Sequence, residues 1–241
     1  MKILFVTSYF YPVIGGAENY MYNIAKELIN KGHTVEILVS NSSRDGKKIE
    51  NESFIDGIKV RRFKTIFRFG FSGVFFPGLF RAVKTSDADI VHVHGYRHPF
   101  NYVFLFTKKP CFLTPHWPDY PKGSRSKWLE NLIPIYDKLL GPFVFSKFKK
   151  IFADTGAEIP WLINNFNIPK EKIIISPCCI PNTYFKKYNG NKFRKKHNIK
   201  KEELLVLSVA RIHKTKGQDQ IIKAANYFPH AKFVFVGIDG G

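Results

Sequence analysis

The sequence predicts an α/β fold with a parallel sheet covered by helices on both faces, and two observations support it. Short continuous apolar runs, typical of strands buried on both faces, alternate with longer segments in which apolar residues recur at helical spacing. This alternation stops in a polar, strongly basic segment and begins again at about residue 204. The chain is therefore expected to hold one sizeable α/β domain and the beginning of a second.

The first domain opens with a strand over residues 2–7, followed by a loop that contains Gly15 and Gly16. The spacing of apolar residues predicts a helix over about 17–31, and Gly32 provides the usual helix stop. Further strands are predicted at 34–40, 58–63, 89–94, 111–115, 150–153 and 172–176, and helices at 74–84, in parts of 99–107 and 125–147, and at 156–166.

The domain boundaries follow from composition. Residues 1–185 are predicted to form the first domain, the basic, aliphatic-poor residues 186–203 a linker, and residues 204–241 an incomplete second domain. The last part has a strand at 204–210, a helix at about 216–227 and a strand at 232–237. One such unit cannot cover both faces of its own sheet, so we expect either a fragment of a longer protein or the product of a truncated gene.

Composition and targeting signals favour a cytoplasmic protein. The chain has 241 residues, 44% of them hydrophobic, and only three cysteines, without the two-residue spacing of a metal site. The amino terminus lacks a signal peptide, and no window reaches the ~18 to 20 apolar residues of a membrane span. We therefore expect free or structural thiols in a reducing compartment.

The net charge of +19 favours anionic partners. Either it reflects a solvated lysine-rich surface, or it draws the protein to the anionic inner face of the cell membrane as a peripheral protein. In residues 59–84 aromatic and basic side chains alternate, which suits a membrane surface or equally a buried strand, a loop and a helix. Nucleic acid is not an expected partner, because no nucleic-acid-binding motif is present.

Gly15 and Gly16 lie between the first strand and the first helix. Glycines there let the backbone approach a ligand closely, and the helix start offers free N–H groups to an anion. A tight turn in any α/β domain explains them equally well. The dinucleotide fingerprint G-x-G-x-x-G is absent, which disfavours a nicotinamide-dependent dehydrogenase.

Two groups of histidines are candidate site residues. His92 and His94 are two apart on a strand and face the same way, so they could line a substrate site or form a structural polar cluster; a metal would need a third ligand. His116 follows a strand at its carboxyl end, where ligands bind in open parallel sheets. Its neighbours Trp117 and Asp119 are candidates for the same crevice.

In the second domain, Arg211 and Lys216 flank a strand-to-helix loop. Two cations at this spacing suit a pyrophosphate, since arginine binds it bidentately and lysine acts as a point charge. A solvated basic loop is the alternative.

Taken in order along the chain, these motifs resemble glycosyltransferase family 4. The resemblance rests on the Gly15-Gly16 loop with Glu18, on ADIVHVHG, FLTPH and ISPCCIPNTYF, and on SVARIHKTKGQDQIIKAA. It implies a GT-B architecture, with two Rossmann-like domains, the first for the acceptor and the second for a nucleotide sugar. It further implies a hexosyl-type enzyme that retains anomeric configuration and needs no cofactor or metal.

The resemblance also implies residue roles. Gly15 and Gly16 lie against the donor phosphates, His116 contacts the donor sugar near the reacting carbon, and Arg211 with Lys216 neutralises the pyrophosphate in place of a metal ion. Glu18, His92 and His94 are possible acceptor or cleft-lining residues. The acceptor is expected to be a glycan or a lipid-linked sugar, in cell-surface polysaccharide or glycolipid synthesis.

The chain departs from the family pattern in three places. Cys178-Cys179 stands where Asn-Gly is usual, Ala210 replaces a glycine, and the family's pair of glutamates would lie beyond Gly241. Because that pair holds the sugar and the ribose, we expect the 241-residue chain itself to have little or no activity. A nucleotide-sugar epimerase of the same fold and a non-catalytic binding module are the alternative functions.

Overall fold

The structure is a computed structural model, and it describes residues 1–69, 73–116, 123, 126–180, 182–213 and 216–237. The chain divides into two compact units, Met1–Pro181 and Asn182–Gly241. The first unit contains the large sheet, and the second contains a small two-stranded sheet with one helix between its strands.

The strands and helices follow the predicted alternation. The strands are β1 (Lys2–Val6), β2 (Thr34–Ser40), β3 (Glu52–Ile55), β4 (Ile58–Phe63), β5 (Phe67–Phe69), β6 (Gly73–Phe75), β7 (Ile90–His94), β8 (Cys111–Thr114), β9 (Lys150–Ala153), β10 (Ile173–Ile175), β11 (Leu205–Val209) and β12 (Lys232–Val236). The α-helices are α1 (Gly16–Asn30), α2 (Gly78–Thr85), α3 (Lys127–Leu139), α4 (Gly141–Ser146), α5 (Glu158–Phe166), α6 (Asn191–Lys196) and α7 (Gln218–Ala225). Short 3-10 helices span Pro99–Leu105, Lys170–Lys172 and Asn182–Phe185.

Eight strands form the sheet of the first unit, in the order β10-β9-β8-β7-β1-β2-β4-β3. Every neighbouring pair is parallel except β3 and β4. The predicted α/β class is therefore confirmed, with β1 near the centre. Because all but the antiparallel edge strand run the same way, the carboxyl ends of β1, β2, β4 and β7–β10 lie along one edge.

Both faces of the sheet are covered, as the continuous apolar strands predict. Leu4 and Val6 of β1 belong to a buried cluster with residues of α2, α4 and α5. Ile3 and Phe5, which point the other way, pack with Met21 and other residues of α1. This two-sided burial fixes the register of β1 and with it the position of the loop that follows.

The structure differs from the sequence prediction in two segments, and it decides between the alternatives for a third. Phe67–Phe69 and Gly73–Phe75 form a hairpin, so the helix predicted from 74 begins at Gly78. Val74, Phe76 and Leu79 are buried, which places much of the 59–84 segment in the core, while Ile66 and Phe67 remain exposed. A short antiparallel edge strand, β3, was not predicted.

The second unit starts before the predicted boundary. Within the segment 186–203 predicted as a linker, residues 191–196 form α6, and the Arg194 guanidinium donates to the carbonyls of Lys200 and Glu203. β11 and β12 pair in parallel, with α7 between them. Leu207 and Val209 on β11 are more than half exposed.

Candidate active site

The loops at the carboxyl edge bring a group of polar side chains together. His94 ends β7, Thr114 ends β8, and Asp154 directly follows β9. His116 lies two residues beyond β8, and its backbone has a positive φ of 56°. Non-glycine residues seldom adopt this conformation, and they do so mainly where the surrounding structure and function demand it.

His116 is held from both sides. Its Nδ1 lies 3.1 Å from Asp154 Oδ2, and its Nε2 lies 3.3 Å from His94 Nδ1. The His116 side chain is 15% exposed, so part of the ring faces the crevice at the sheet edge. Two hydrogen-bonded ring nitrogens leave the imidazole little freedom to rotate, so the ring has one fixed orientation at the sheet edge.

His92 and His94 form the buried layer behind His116. Their rings lie 4.2 Å apart, and His92 Nε2 is 2.8 Å from Thr114 Oγ1. Burial lowers the pKa of His92 to about 3 and the pKa of His94 well below its ordinary value, with His116 adding to both shifts. Both rings are therefore neutral at neutral pH, and they support His116 rather than supply charge.

The neutral state of His94 lets the tautomers be assigned. If His116 Nδ1–H donates to Asp154, then His116 Nε2 accepts from His94 Nδ1–H. His94 Nε2, which is buried without a partner among the described residues, is then a bare acceptor rather than an unpaired donor. The two hydrogen bonds then run in one direction, from His94 to His116 and from His116 to Asp154.

A second carboxyl group stands behind Asp154. Glu158, on the first turn of α5, is buried and accepts a hydrogen bond from the Asp154 backbone N–H at 3.1 Å. Burial, together with the nearby Asp154 charge, raises the pKa of Glu158 to about 7. Glu158 therefore keeps its proton to near-neutral pH.

Helix α1, which follows the glycine loop, packs against the histidine cluster through Tyr20. The Tyr20 ring packs edge-on against His116 with centroids 5.2 Å apart, and its hydroxyl lies 3.0 Å from Ser176 Oγ beyond β10. Burial raises the pKa of Tyr20 to about 12, so it remains a hydrogen-bond donor. Tyr20 thus ties the helix that starts at Gly16 to the histidines.

The two glycines have different structural roles. A Cβ atom on Gly15 would lie 2.3 Å from Glu18 Oε2, because the Glu18 carboxylate folds back over the helix start. Glu18 is buried there and pairs with Arg44 Nη2 at 2.5 Å. A Cβ on Gly16 would meet no atom within 4 Å, so packing does not explain that glycine, while close approach of a ligand would.

The remaining predicted site residues lie elsewhere. Arg211 follows β11 and Lys216 precedes α7, both in the second unit, and the Gln218 side chain donates to the Arg211 carbonyl at 2.9 Å. The predicted strand-to-helix loop is therefore present. Trp117 and Asp119 lie outside the described residues. Within the described ranges, no cluster of three or more His, Cys, Asp or Glu side chains has the arrangement of a metal site.

Sequence reasoning missed Asp154, Glu158 and Tyr20. The signal for Asp154 was available, since it follows the predicted strand 150–153 just as His116 follows 111–115. Tyr20 carried no such signal, because its contact with His116 depends on where α1 packs across the sheet.

Comparison with known protein families assigns both parts of the chain. Residues 14–183 match the family described as Glycosyltransferase Family 4, and residues 189–241 match Glycosyl transferases group 1. The chain belongs to glycosyltransferase family 4. The boundary between the two matched regions lies close to the division of the structure at residue 181.

Individual relatives of this family 4 chain are distant. The GPI3 subunit of phosphatidylinositol N-acetylglucosaminyltransferase from Saccharomyces cerevisiae is 22% identical over 227 residues, covering 92% of this chain and 48% of that protein. The chain thus spans about half the length of this curated relative.

Solved structures match over nearly the whole chain. A glycosyltransferase from Rickettsia africae has a TM-score of 0.65 and 18% identity, covering 98% of this chain and 60% of its own. Anabaena HepE, solved with UDP and glucose, has a TM-score of 0.68 and 18% identity, covering 99% and 61%. These likenesses confirm the predicted GT-B fold class. Among the described residues, every helix is too short or too polar to cross a bilayer.

Proposed function

We propose that this glycosyltransferase moves a hexosyl-type sugar from a nucleoside diphosphate sugar to a glycan or lipid-linked acceptor, with retention of configuration. The family supports the reaction class, and the crystal structure of HepE with UDP and glucose supports a nucleotide-sugar donor. The setting we propose is polysaccharide or glycolipid synthesis in the cytoplasm, at the inner face of the cell membrane.

In this proposal the chemistry is divided between the two units. Arg211 and Lys216 neutralise the charge that develops on the leaving diphosphate, so no metal ion is needed. The start of α1 at Gly16 offers backbone N–H groups to the same phosphates. A phosphate oxygen of the donor accepts the acceptor hydroxyl proton as the new glycosidic bond forms on the face that the diphosphate leaves.

The observation that carries the proposal is the fixed imidazole of His116, held between Asp154 and His94 at the carboxyl edge. A ring positioned this firmly can present its exposed edge to the donor sugar without reorganising as the transition state forms. Tyr20 adds an apolar wall against the ring, which excludes water from that contact.

The test is His116→Asn in the complete protein, assayed for sugar transfer from UDP-sugars. Asparagine tolerates the positive φ of this position, so we expect the free energy of unfolding to change by less than about 1 kcal/mol. We expect kcat to fall about a hundredfold or more. His33→Asn, at the opposite edge of the sheet before β2, is the matched control and should retain activity. Equal activity of the two variants would refute the proposed role of His116.

Helix α3 supports the proposed contact with an anionic membrane surface. Trp128, Leu132, Ile135 and Leu139 are spaced by four, three and four residues, and each is more than half exposed. Such a stripe suits an amphipathic helix that lies in the membrane interface, with the chain's net charge of +19 favouring anionic lipid.

Vesicle co-sedimentation tests this surface. We expect binding to vesicles containing phosphatidylglycerol and little binding to pure phosphatidylcholine. Leu132→Glu with Ile135→Glu should abolish binding. Ile66→Glu with Phe67→Glu makes the same charge change in residues 59–84 and is the matched control, which should still bind. The reverse outcome would move the membrane surface to residues 59–84.

A further inference from the structure

A cavity of about 720 Å³ opens at the carboxyl edge, on the other side of β1 from the histidines. Its walls are formed by residues 41–51, which follow β2, and residues 62–68, which end and follow β4. Neither the histidine cluster nor the loop of Arg211 and Lys216 contributes to it. The proposed reaction therefore leaves this cavity without a role.

The cavity is strongly cationic. Lys48, Arg62, Lys64 and Arg68 line it, and none of the lining residues that the structure describes is acidic. The neutral polar residues Asn41 and Ser42 complete the wall at the end of β2. Four cations around one opening repel one another, an arrangement that an anion bound between them would relieve.

Arg62 is the most buried of the cations that line the cavity. It is 5% exposed, and its guanidinium donates to the Tyr11 carbonyl at 2.6 Å, to Ser53 Oγ at 2.9 Å and to the Glu50 carbonyl at 3.1 Å. All three acceptors are neutral, and no carboxylate among the described residues lies within ion-pair distance. Arg62 Nε is also buried without an acceptor in that part of the chain. Burial lowers the pKa of Arg62, and the more distant charge of Glu50 offsets this only in part. A buried charge without a close ion-pair partner is costly unless a counter-charge binds nearby.

The cavity lies within reach of the reaction centre. Adjacent strands are about 4.8 Å apart, so β2 lies about 10 Å from β7, and β4 lies about 19 Å from β8. A contact also joins the two places: the Arg68 guanidinium donates to the Arg44 carbonyl, and Arg44 pairs with Glu18 at the start of α1. An extended acceptor of several sugar units could span this distance.

We propose that this cavity binds an anionic group of the acceptor, a phosphate or a carboxylate, with Arg62 at its base and Lys48, Lys64 and Arg68 around its mouth. This inference rests on the proposed transferase function, because it assigns the acceptor chemistry. The neutral sugar hydroxyl that receives the new bond would then lie toward His116, several sugar units from the bound charge.

The first experiment measures anion binding without any turnover. The 241-residue chain, labelled with ¹⁵N, is titrated with inorganic phosphate, with acetate and with neutral glycerol. We expect saturable amide shifts in residues 41–51 and 62–68 with phosphate or acetate, and none with glycerol. The stronger anion identifies the acceptor group as a phosphate or a carboxylate. Shifts spread evenly over the basic surface would overturn the proposal.

Matched lysine variants separate a site from general charge. Lys64→Gln removes a lining charge. Lys47→Gln removes a charge from the same 41–51 segment, but the Lys47 side chain pairs with Asp45 and does not line the cavity. We expect Lys64→Gln to weaken anion binding about threefold to tenfold, and Lys47→Gln to leave it unchanged. Equal weakening by both variants would overturn the proposal, and Arg62→Gln, checked for folding, should abolish binding.

Kinetics in the complete protein keep the two proposals distinguishable. Lys64→Gln should raise KM for an anionic acceptor and leave KM for the nucleotide sugar unchanged. Transfer that proceeds normally in a protein without the localised shifts would refute the anion site alone. Localised shifts in a protein without sugar transfer would refute the transferase function and, with it, the assignment to an acceptor.

Discussion

Along the same sheet edge, buried ionisable groups tend to be neutral on one side of β1 and charged on the other. On the β7–β9 side, burial is the largest cause of the pKa shifts. It lowers the pKa of His92 to about 3 and raises the pKa of Glu158 to about 7, so both groups tend to be neutral. On the β2–β4 side, Arg62 remains a buried cation held by neutral acceptors, next to a cavity lined by three exposed basic side chains.

The difference indicates that one sheet edge can recognise both an uncharged group and an anion. Neutral, hydrogen-bonded rings position a group without attracting ions, which suits contact with an uncharged sugar. Uncompensated cations attract and hold an anion but fix its orientation less tightly. The Gly15-Gly16 loop lies between the two regions, with Glu18 and Arg44 connected to the cationic side and Tyr20 to the histidine side.

The largest expected effect breaks the neutral side of this comparison through Glu158→Gln. The pKa of Glu158 rises from 4.5 to about 7 on folding, so its stabilising contribution is complete below pH 4.5 and is lost as pH rises through 7. Glutamine stays neutral and can keep the bond from Asp154 N–H. The variant should match the wild type at pH 4.5 and be about 3 kcal/mol more stable at pH 8.

Denaturant unfolding followed by tryptophan fluorescence measures this effect, because Trp117, Trp128 and Trp161 all belong to the first unit. The lowered pKa of His92 works in the opposite sense, removing stability as pH falls from 6.5 toward 3. Both proteins share that loss, so it cancels in the difference between them. A difference that does not change with pH would contradict the buried, proton-retaining Glu158.

The next effect sharpens the histidine side through Asp154→Asn. The amide oxygen can still accept a hydrogen bond from His116 Nδ1–H, but the negative charge is lost. The amide can also turn its NH2 group toward His116 instead of its oxygen. We expect kcat for transfer to fall about tenfold to a hundredfold with KM for the nucleotide sugar nearly unchanged, less than the loss in His116→Asn. A variant that raises KM alone would instead assign Asp154 to substrate binding.

The sequence predicted most of the fold because local periodicity and the sheet agree. The apolar runs at 2–7, 34–40 and 89–94 are buried strands, since each is covered on both faces. The carboxyl-end rule placed His116 correctly and would have found Asp154. It could not reveal the contact of Tyr20 with His116, which depends on helix packing rather than on position along the chain.

The cationic cavity was beyond sequence reasoning for a different reason. Residues 41–51 and 62–68 meet only because β4 pairs with β2, and in the sequence they read as ordinary basic loops. Helix α6 escaped prediction because its six residues include four basic ones and lack apolar periodicity. In both cases the information lies in contacts between segments, which composition does not record.

The smallest expected effect tests the loop between the two regions with Gly15→Ala and Gly16→Ala. A Cβ on Gly15 would displace the Glu18 carboxylate from Arg44, so we expect a loss of about 1–2 kcal/mol in the free energy of unfolding. A Cβ on Gly16 meets open space, and alanine there lowers the entropy of the unfolded chain, so stability should stay the same or rise by up to about 1 kcal/mol. If Gly16 lies against the donor phosphates, Gly16→Ala should nevertheless raise KM for the nucleotide sugar about threefold to tenfold. A stable Gly16→Ala variant with unchanged KM would place the phosphates elsewhere, and the glycine would then serve the turn alone.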